Sequence, residues 1–233
     1  MSQTLTHLSD HCLAFPSIDN ALSDPNGLLA IGGDLSPERI LNAYKKGIFP
    51  WFSDGEPPLW WSPNPRTIIQ TDEIRINKSL RKFLKKSPYK TSINKAFNKV
   101  IKCCADAPFR NENTWILPEM VDSYVELHKQ GHAHSVEVWF DEELVGGLYG
   151  VAINGFFSGE SMFYAKPNAS KVALVSLAKL LKDNQIDMID CQLINPFLEQ
   201  MGAKEITRQN FKKLMNKAIE SPLPNGFWTP RFL

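Results

Sequence analysis

The sequence contains no apolar run approaching the roughly 18 residues that span a bilayer, and its start, MSQTLTHLSDHCLAFPS, carries neither a basic lead nor an apolar signal segment. A cytoplasmic location with no membrane partner is the expectation. Cysteine is sparse and unpatterned: Cys12, Cys103, Cys104 and Cys191 form no CxxC spacing, which suits neither a zinc site nor a disulfide framework. They read as reduced thiols, mostly buried. His132 and His134 lack a third ligand at suitable spacing and read as structural, with no metal expected. Internal repeats and low-complexity tracts are also missing. Net charge is only +1, so any affinity for a polyanion must come from local clustering.

One such cluster stands out. In NKSLRKFLKKSPYK, Lys78, Arg81, Lys82, Lys85 and Lys86 recur at the spacing of one helix face, with Leu80, Phe83 and Leu84 on the other. Asn77 can cap the start, and Ser87-Pro88 marks the end. Five cations with no interleaved acid repel one another, which is as compatible with a phosphate-binding face as with a solvated one.

The 233 residues, 43% of them apolar, suffice for one sizeable core or for one full domain and a small one. The first sixty or so residues are rich in Pro, Gly and Trp. Their clear helix lies in DLSPERILNAYKKGIFPWF, with Ser36 as cap, Pro37 first and Gly47 closing it. A boundary near Asn64 divides a small N-terminal domain, 1–64, from a larger one, 65–233. The larger domain reads as a strand over Arg66 to Gln70, the basic helix, a helix from Ser92, and a helix from Pro118 to Gly131. Three strands follow, the second and third joined by the hairpin signal Asn154-Gly155, then a helix with Leu174, Leu177, Ala178 and Leu181 on one side. The strand IDMIDCQL, a short helix to Gly202 and a basic helix from about Gln209 complete the chain.

Two helices, a three-strand meander, a helix and a strand is the order of a GNAT-type acyltransferase core, an α+β fold with a mixed, mainly antiparallel sheet. Acetyl-CoA enzymes of that fold seat the pyrophosphate on a glycine-rich turn before the helix. Here that junction reads FYAKPNASKVAL, with no glycine, which argues against the usual acetyl donor.

The motifs PNGLLAIGGDLSPERILNAYKKGIFPWF, PLWWSPNPR, GHAHSVEVW, LVGGLYGV, GESMF and IDCQ, in that order from about Phe15 to Arg231, closely resemble the bacterial leucyl/phenylalanyl-tRNA–protein transferases. The resemblance implies a small N-terminal domain followed by a GNAT-like catalytic domain. It implies transfer of Leu or Phe, also Met, from aminoacyl-tRNA to proteins with N-terminal Arg or Lys, marking them for degradation. No ATP, metal or organic cofactor is required, because the donor ester is already activated, and a monomer is expected.

Strand periodicity places Asp190 and Gln192 on one face, and the resemblance gives this pair the central catalytic role. The Gln192 carbonyl can accept from the attacking amine, and Asp190 can orient the amide. Glu160 shares a face with Ser158 and Met162; the resemblance makes it a binder of an amino group or of a cationic acceptor side chain. It likewise assigns Met162, Leu148, Leu177 and Leu181 to the pocket for the transferred side chain, Trp51 and Trp115 to the terminal adenine, and the Lys78–Lys86 face to the acceptor stem. Two other readings stay open: a different aminoacyl-tRNA-dependent transferase, and a noncatalytic RNA-binding module that would not need Asp190, Gln192 and Glu160.

Overall fold

Short strands come first. In the computed structural model, which describes residues 5–106 and 114–233, β1 (Thr6–Leu8), β2 (Leu28–Gly32), α1 (Pro37–Tyr44), β3 (Phe49–Pro50) and β4 (Leu59–Trp61) open the chain, and the four strands form a small sheet in the order β1-β2-β4-β3. The helix signals act as read: the Ser36 hydroxyl accepts from the Arg39 N–H at 3.4 Å, Pro37 takes the first position, and Gly47 leaves the helix at φ 75°. Trp60 is fully buried, with its indole N–H donating to the Gly32 carbonyl at 2.9 Å.

The larger sheet follows. Its elements are β5 (Arg66–Gln70), α2 (Lys78–Leu84), β6 (Lys90–Ile93), α3 (Phe97–Ala105), α4 (Pro118–Lys129), β7 (Ala133–Phe140), β8 (Glu143–Ile153), β9 (Phe156–Tyr164), α5 (Ala169–Asp183), β10 (Met188–Gln192), α6 (Pro196–Gln200), β11 (Lys204–Ile206), α7 (Arg208–Ile219) and β12 (Arg231–Phe232). Eight strands lie in the order β11-β5-β10-β9-β8-β7-β6-β12. Every pairing in it is antiparallel except β10 with β9, which is parallel, so the meander β7-β8-β9, the crossing helix α5 and the strand β10 make the GNAT-type order expected from the sequence. The sheet has a core on each face. One contains Trp60, Ile40, Phe97, Tyr124, Tyr149 and Phe211, so the small sheet shares an interior with the larger one; the other packs Leu148, Phe157 and Ile189 under Leu174, Leu177 and Leu181 of α5. Among the described residues no helix is long and apolar enough to cross a membrane.

Three expectations need correction. The stretch from Ser92 is not helical: Ser92 and Ile93 end β6, and Asn94 turns the chain at φ 54°. The Ser92 hydroxyl donates to the fully buried Glu137 of β7, and Ile93 faces the core opposite to the one that receives Phe97, so a helix can start only at Phe97. The basic helix α2 stops at Leu84, with Lys85 as its cap and Lys86 beyond it, although Asn77 caps its start as expected. Of the four free cysteines only Cys104 is buried; Cys12 is exposed and the other two are half-buried. His134 does have a structural place: it stacks on Trp228 at 4.2 Å, faces the Asn94 amide at 2.9 Å, and burial pulls its imidazole down to about 3, which keeps it neutral.

Gly150 of β8 shows how closely the strands that carry the site approach. A β-carbon there would stand 2.6 Å from the Phe157 ring and inside the Ser158 carbonyl oxygen. Gly150→Ala is therefore expected to destabilise the protein by about 1–3 kcal/mol in urea unfolding; an unchanged midpoint would contradict this packing.

Candidate active site

Two neighbouring strands open the site by diverging. β10 pairs with β9 over only two rungs, Ile189 with Phe157 and Asp190 with Ser158. Beyond them both strands bulge. In β10, Asp190 lies opposite Ile68 and Gln192 opposite Thr67, leaving Cys191 unopposed, and Gln192 adopts φ 56°. In β9, Gly159 pairs with Gly150 and Ser161 with Tyr149, leaving Glu160 unopposed. Such bulges bend a strand and re-aim its side chains. Here they turn Glu160 and Gln192 into the wedge between the strands, a cleft of about 830 Å³.

A buried ion pair underlies the wedge. Arg66 donates from Nε to Asp190 Oδ1 and from Nη2 to Oδ2, both at 2.7 Å, with Arg66 1% and Asp190 0% exposed. Asp190 Oδ2 also accepts from the Ser158 hydroxyl at 2.9 Å, and Oδ1 from the Gln192 backbone N–H at 3.2 Å. Asp190 meets the Gln192 side chain indirectly. It shares no hydrogen bond with the Gln192 amide; it holds the bulge through the backbone and meets the amide only through Ser158. Strand periodicity named the right neighbours, but a bulge rather than simple alternation brings them together.

The Gln192 amide has a definite setting. Its Nε2 donates to Ser158 Oγ at 2.9 Å and to Glu160 Oε1 at 3.3 Å, while Oε1 has no partner among the described residues. Glu160 Oε2 accepts from the Tyr124 hydroxyl at 3.2 Å, and Tyr124 lies 2.6 Å from the Tyr44 hydroxyl. Withdrawal from water pushes the Glu160 carboxyl up to about 7; the Asp190 charge adds to the rise, while the tyrosine hydroxyls and Arg66 oppose it. Burial, followed by the Glu160 charge, raises both tyrosines well above their ordinary range, so they stay protonated donors. Cys191 lines the cleft, but burial raises its thiol too, which denies it the thiolate a nucleophile needs.

The remaining expected residues divide. Trp51, Trp115, Leu148, Met162 and Leu177 line the same cleft as Glu160 and Gln192. Trp51 stands 43% exposed, its ring edge-on to Trp61 at 5.7 Å, and the Trp61 indole donates to the Trp51 carbonyl at 2.6 Å. Leu181 is not among them: it lies on α5, fully buried in the core between that helix and the sheet, and does not line the cleft. Helical spacing alone cannot separate it from Leu177, one turn away. Lys78, Arg81, Lys82, Lys85 and Lys86 are all exposed or nearly so, have no carboxylate within ion-pair distance among the described residues, and lie outside the cleft lining. The sequence reading gave no role to Arg66, Ser158, Tyr44 or Tyr124. Arg66 lies in the motif PLWWSPNPR, and a lone arginine opening an apolar strand, RTIIQ, is the signal that asks for a buried acid.

Residues 68–216 match the family described as leucyl/phenylalanyl-tRNA protein transferase, and residues 33–64 match that family's N-terminal domain. The chain is 58% identical over 238 residues to the leucyl/phenylalanyl-tRNA–protein transferase of Colwellia psychrerythraea, spanning 100% of this chain and 99% of that one. It is 50% identical over 229 residues to the protein of the same name from Escherichia coli O157:H7, spanning 98% and 97%. Among solved structures, a GCN5-related N-acetyltransferase from Kribbella flavida aligns with 72% of this chain and 60% of its own, at 9% identity and a TM-score of 0.36.

The site's electrostatics can be tested at two positions. Arg66→Met strands Asp190 as an unpaired buried charge and is expected to cost about 3–5 kcal/mol in denaturant unfolding; a loss under about 1 kcal/mol would contradict the pairing. Glu160 has a folded pKa above its unfolded value of 4.5, so ionisation opposes folding. Wild type should therefore lose stability relative to Glu160→Gln as pH rises from about 4.5 through 7, and a difference that stays flat across that window would refute the raised carboxyl.

Proposed function

The chain belongs to the leucyl/phenylalanyl-tRNA protein transferase family, a family of aminoacyltransferases, and from that premise we propose that it transfers Leu, Phe or Met from aminoacyl-tRNA to the α-amino group of proteins that begin with Arg or Lys, marking them for degradation. The observation that carries this reading is the Gln192 carbonyl, unengaged among the described residues and set beside Glu160 in a cleft that also holds an apolar pocket and two tryptophans.

The chemistry asks little of a base. The acceptor α-amine has a reference pKa of about 7.7–8.0, so about a tenth is neutral at pH 7. Its nitrogen attacks the ester carbonyl carbon; the C–N bond forms, the ester C–O bond breaks, and the ribose oxygen departs with a proton. Gln192 Oε1 accepts from the incoming N–H and so points the nitrogen lone pair at the carbonyl. Glu160 holds the positive charge of the amine before attack and as the new bond forms. Asp190 keeps Gln192 in place through Ser158 and the bulge. Leu148, Met162 and Leu177 take the transferred side chain, the flexible thioether of Met162 allowing both branched and aromatic shapes. Trp51 and Trp115 stack the terminal adenine, worth about 1–3 kcal/mol per base.

The acceptor stem lies along the exposed cations from Lys78 to Lys86, contacted through phosphates rather than bases, which suits several tRNAs. We assign residues 1–64 to a small domain that carries Trp51 and 65–233 to the catalytic domain; the two sheets fall on either side of this boundary. One copy contains every group invoked, which supports action as a monomer, and the tRNA substrate favours the cytoplasm.

Wild type should transfer labelled Leu, Phe and Met from tRNA to peptides that start with Arg or Lys and not to one that starts with Ala; equal use of the Ala peptide would defeat the acceptor assignment. Gln192→Ala should slow transfer on the order of 10²-fold with tRNA binding retained, and full activity would sink the site. Charge reversal at Lys78, Arg81, Lys82 and Lys85 should weaken tRNA binding and flatten its salt dependence; an unaltered slope would place the tRNA on another surface.

A further inference from the structure

We propose that Ser158 is a positioning residue for the transfer: its hydroxyl fixes which end of the Gln192 amide faces the acceptor amine. The inference rests on the reading of Gln192 given above and extends it to a residue that touches neither substrate.

Hydrogen-bond direction decides the orientation. A serine hydroxyl has one hydrogen to donate and lone pairs to accept with. Ser158 is fully buried, and its oxygen lies 2.9 Å from Asp190 Oδ2 and 2.9 Å from Gln192 Nε2. Asp190, paired through both oxygens with Arg66, can only accept, so the Ser158 hydrogen points to Asp190. The Ser158 lone pair is then left for a donor, and the Gln192 NH₂ is the donor that meets it. A flipped amide would set Oε1 against an oxygen whose only hydrogen is already committed, burying two acceptors face to face without a proton between them. Glu160 Oε1, 3.3 Å from the same Nε2, favours the same orientation. Arg66, Asp190, Ser158 and Gln192 therefore form a chain with a fixed donor sense, and the carbonyl at its end is turned outward to the cleft. Glutamine by itself offers no such preference, because its two ends have nearly the same shape.

The test measures kcat, KM for aminoacyl-tRNA and KM for an Arg-initiated peptide in Ser158→Ala, and the same substitution in a Gln192→Ala background with enzyme in excess. Ser158→Ala should lower kcat on the order of 10- to 100-fold, as expected for a misoriented reacting group, while both KM values stay within about twofold. In the Gln192→Ala background it should cause no further loss, since a residue that acts through Gln192 has nothing left to orient. Ser158→Cys, which keeps the side-chain volume but makes only weak hydrogen bonds, serves as the second variant should the alanine fail to fold, and its kcat should fall in the same way. An unchanged kcat in a folded Ser158 variant, or an equal loss with and without Gln192, would overturn the inference. Full transfer by Gln192→Ala alone would overturn the reading of Gln192 itself, and the inference with it, a result distinguishable from a silent Ser158.

Discussion

The ion pair between Arg66 and Asp190 is the constraint on which the remaining geometry turns. Both partners are withdrawn from water, a state that costs several kcal/mol per charge unless geometry and further hydrogen bonds offset it. Here the offset draws on several contacts at once. The guanidinium meets the carboxylate through two 2.7 Å bonds, donates to the Gly47 carbonyl at 3.2 Å, and lies 4.8 Å and 4.5 Å from the ring centres of Phe49 and Phe211. These contacts come from separate segments of the chain. Gly47 and Phe49 follow the end of α1 and lead directly to Trp51, Phe211 belongs to α7, and Asp190 sits one residue before the β10 bulge. One side chain thus ties the turn that presents Trp51 to the strand that presents Gln192.

That tie explains why β10 can be irregular at all. A strand between two neighbours normally keeps its ladder, and a residue at φ 56° that is not glycine is strained. At this bulge the Gln192 backbone N–H bonds to Asp190 Oδ1 at 3.2 Å. The second bulge, at Glu160, lies beside the close approach of β8 and β9 that Gly150 allows by presenting no side chain to Phe157 and Ser158. Together, just beyond the last shared rung at Asp190 and Ser158, the two bulges separate neighbouring strands of one sheet and leave polar groups in the gap.

Elements with a strong period were legible in the sequence, and elements defined by a tertiary partner were not. The meander, α5 and the capped α1 announced themselves through alternation, helical spacing and turn residues. β6 did not, because KTSI is too short to show a period and becomes a strand by pairing with β7 on one side and β12 on the other. In the site, Asp190 and Gln192 stood out as polar residues in an apolar strand, and Glu160 was singled out only by the family resemblance. Their geometry was hidden, since a bulge is a register event between strands and leaves no mark on one strand alone. Arg66 and Asp190 are 124 residues apart in sequence, beyond any local pattern. Leu181 shows the converse: its spacing matches Leu177, and only the way the sheet packs under α5 decides which of the two meets the cleft.

The pKa of Glu160 gives the wedge a further property within the proposed reaction. An ordinary carboxyl, near 4.5, would bind an ammonium well but hold its proton poorly, about three pKa units below an α-amine. Passing the amine's proton to such a group would cost about 4–5 kcal/mol at 1.36 kcal/mol per unit. Raised to about 7, Glu160 lies within about one unit of the amine, and the same transfer costs roughly 1–1.4 kcal/mol. In the proposed reaction, the burial that makes the carboxyl unfavourable to ionise would let it attract a cationic amine and still release it as a nucleophile. Gln192 cannot titrate near neutral pH, so in that proposal it would keep one orientation throughout the exchange, and a division of labour between a group that moves a proton and a group that only points would follow from the two side chains' chemistry.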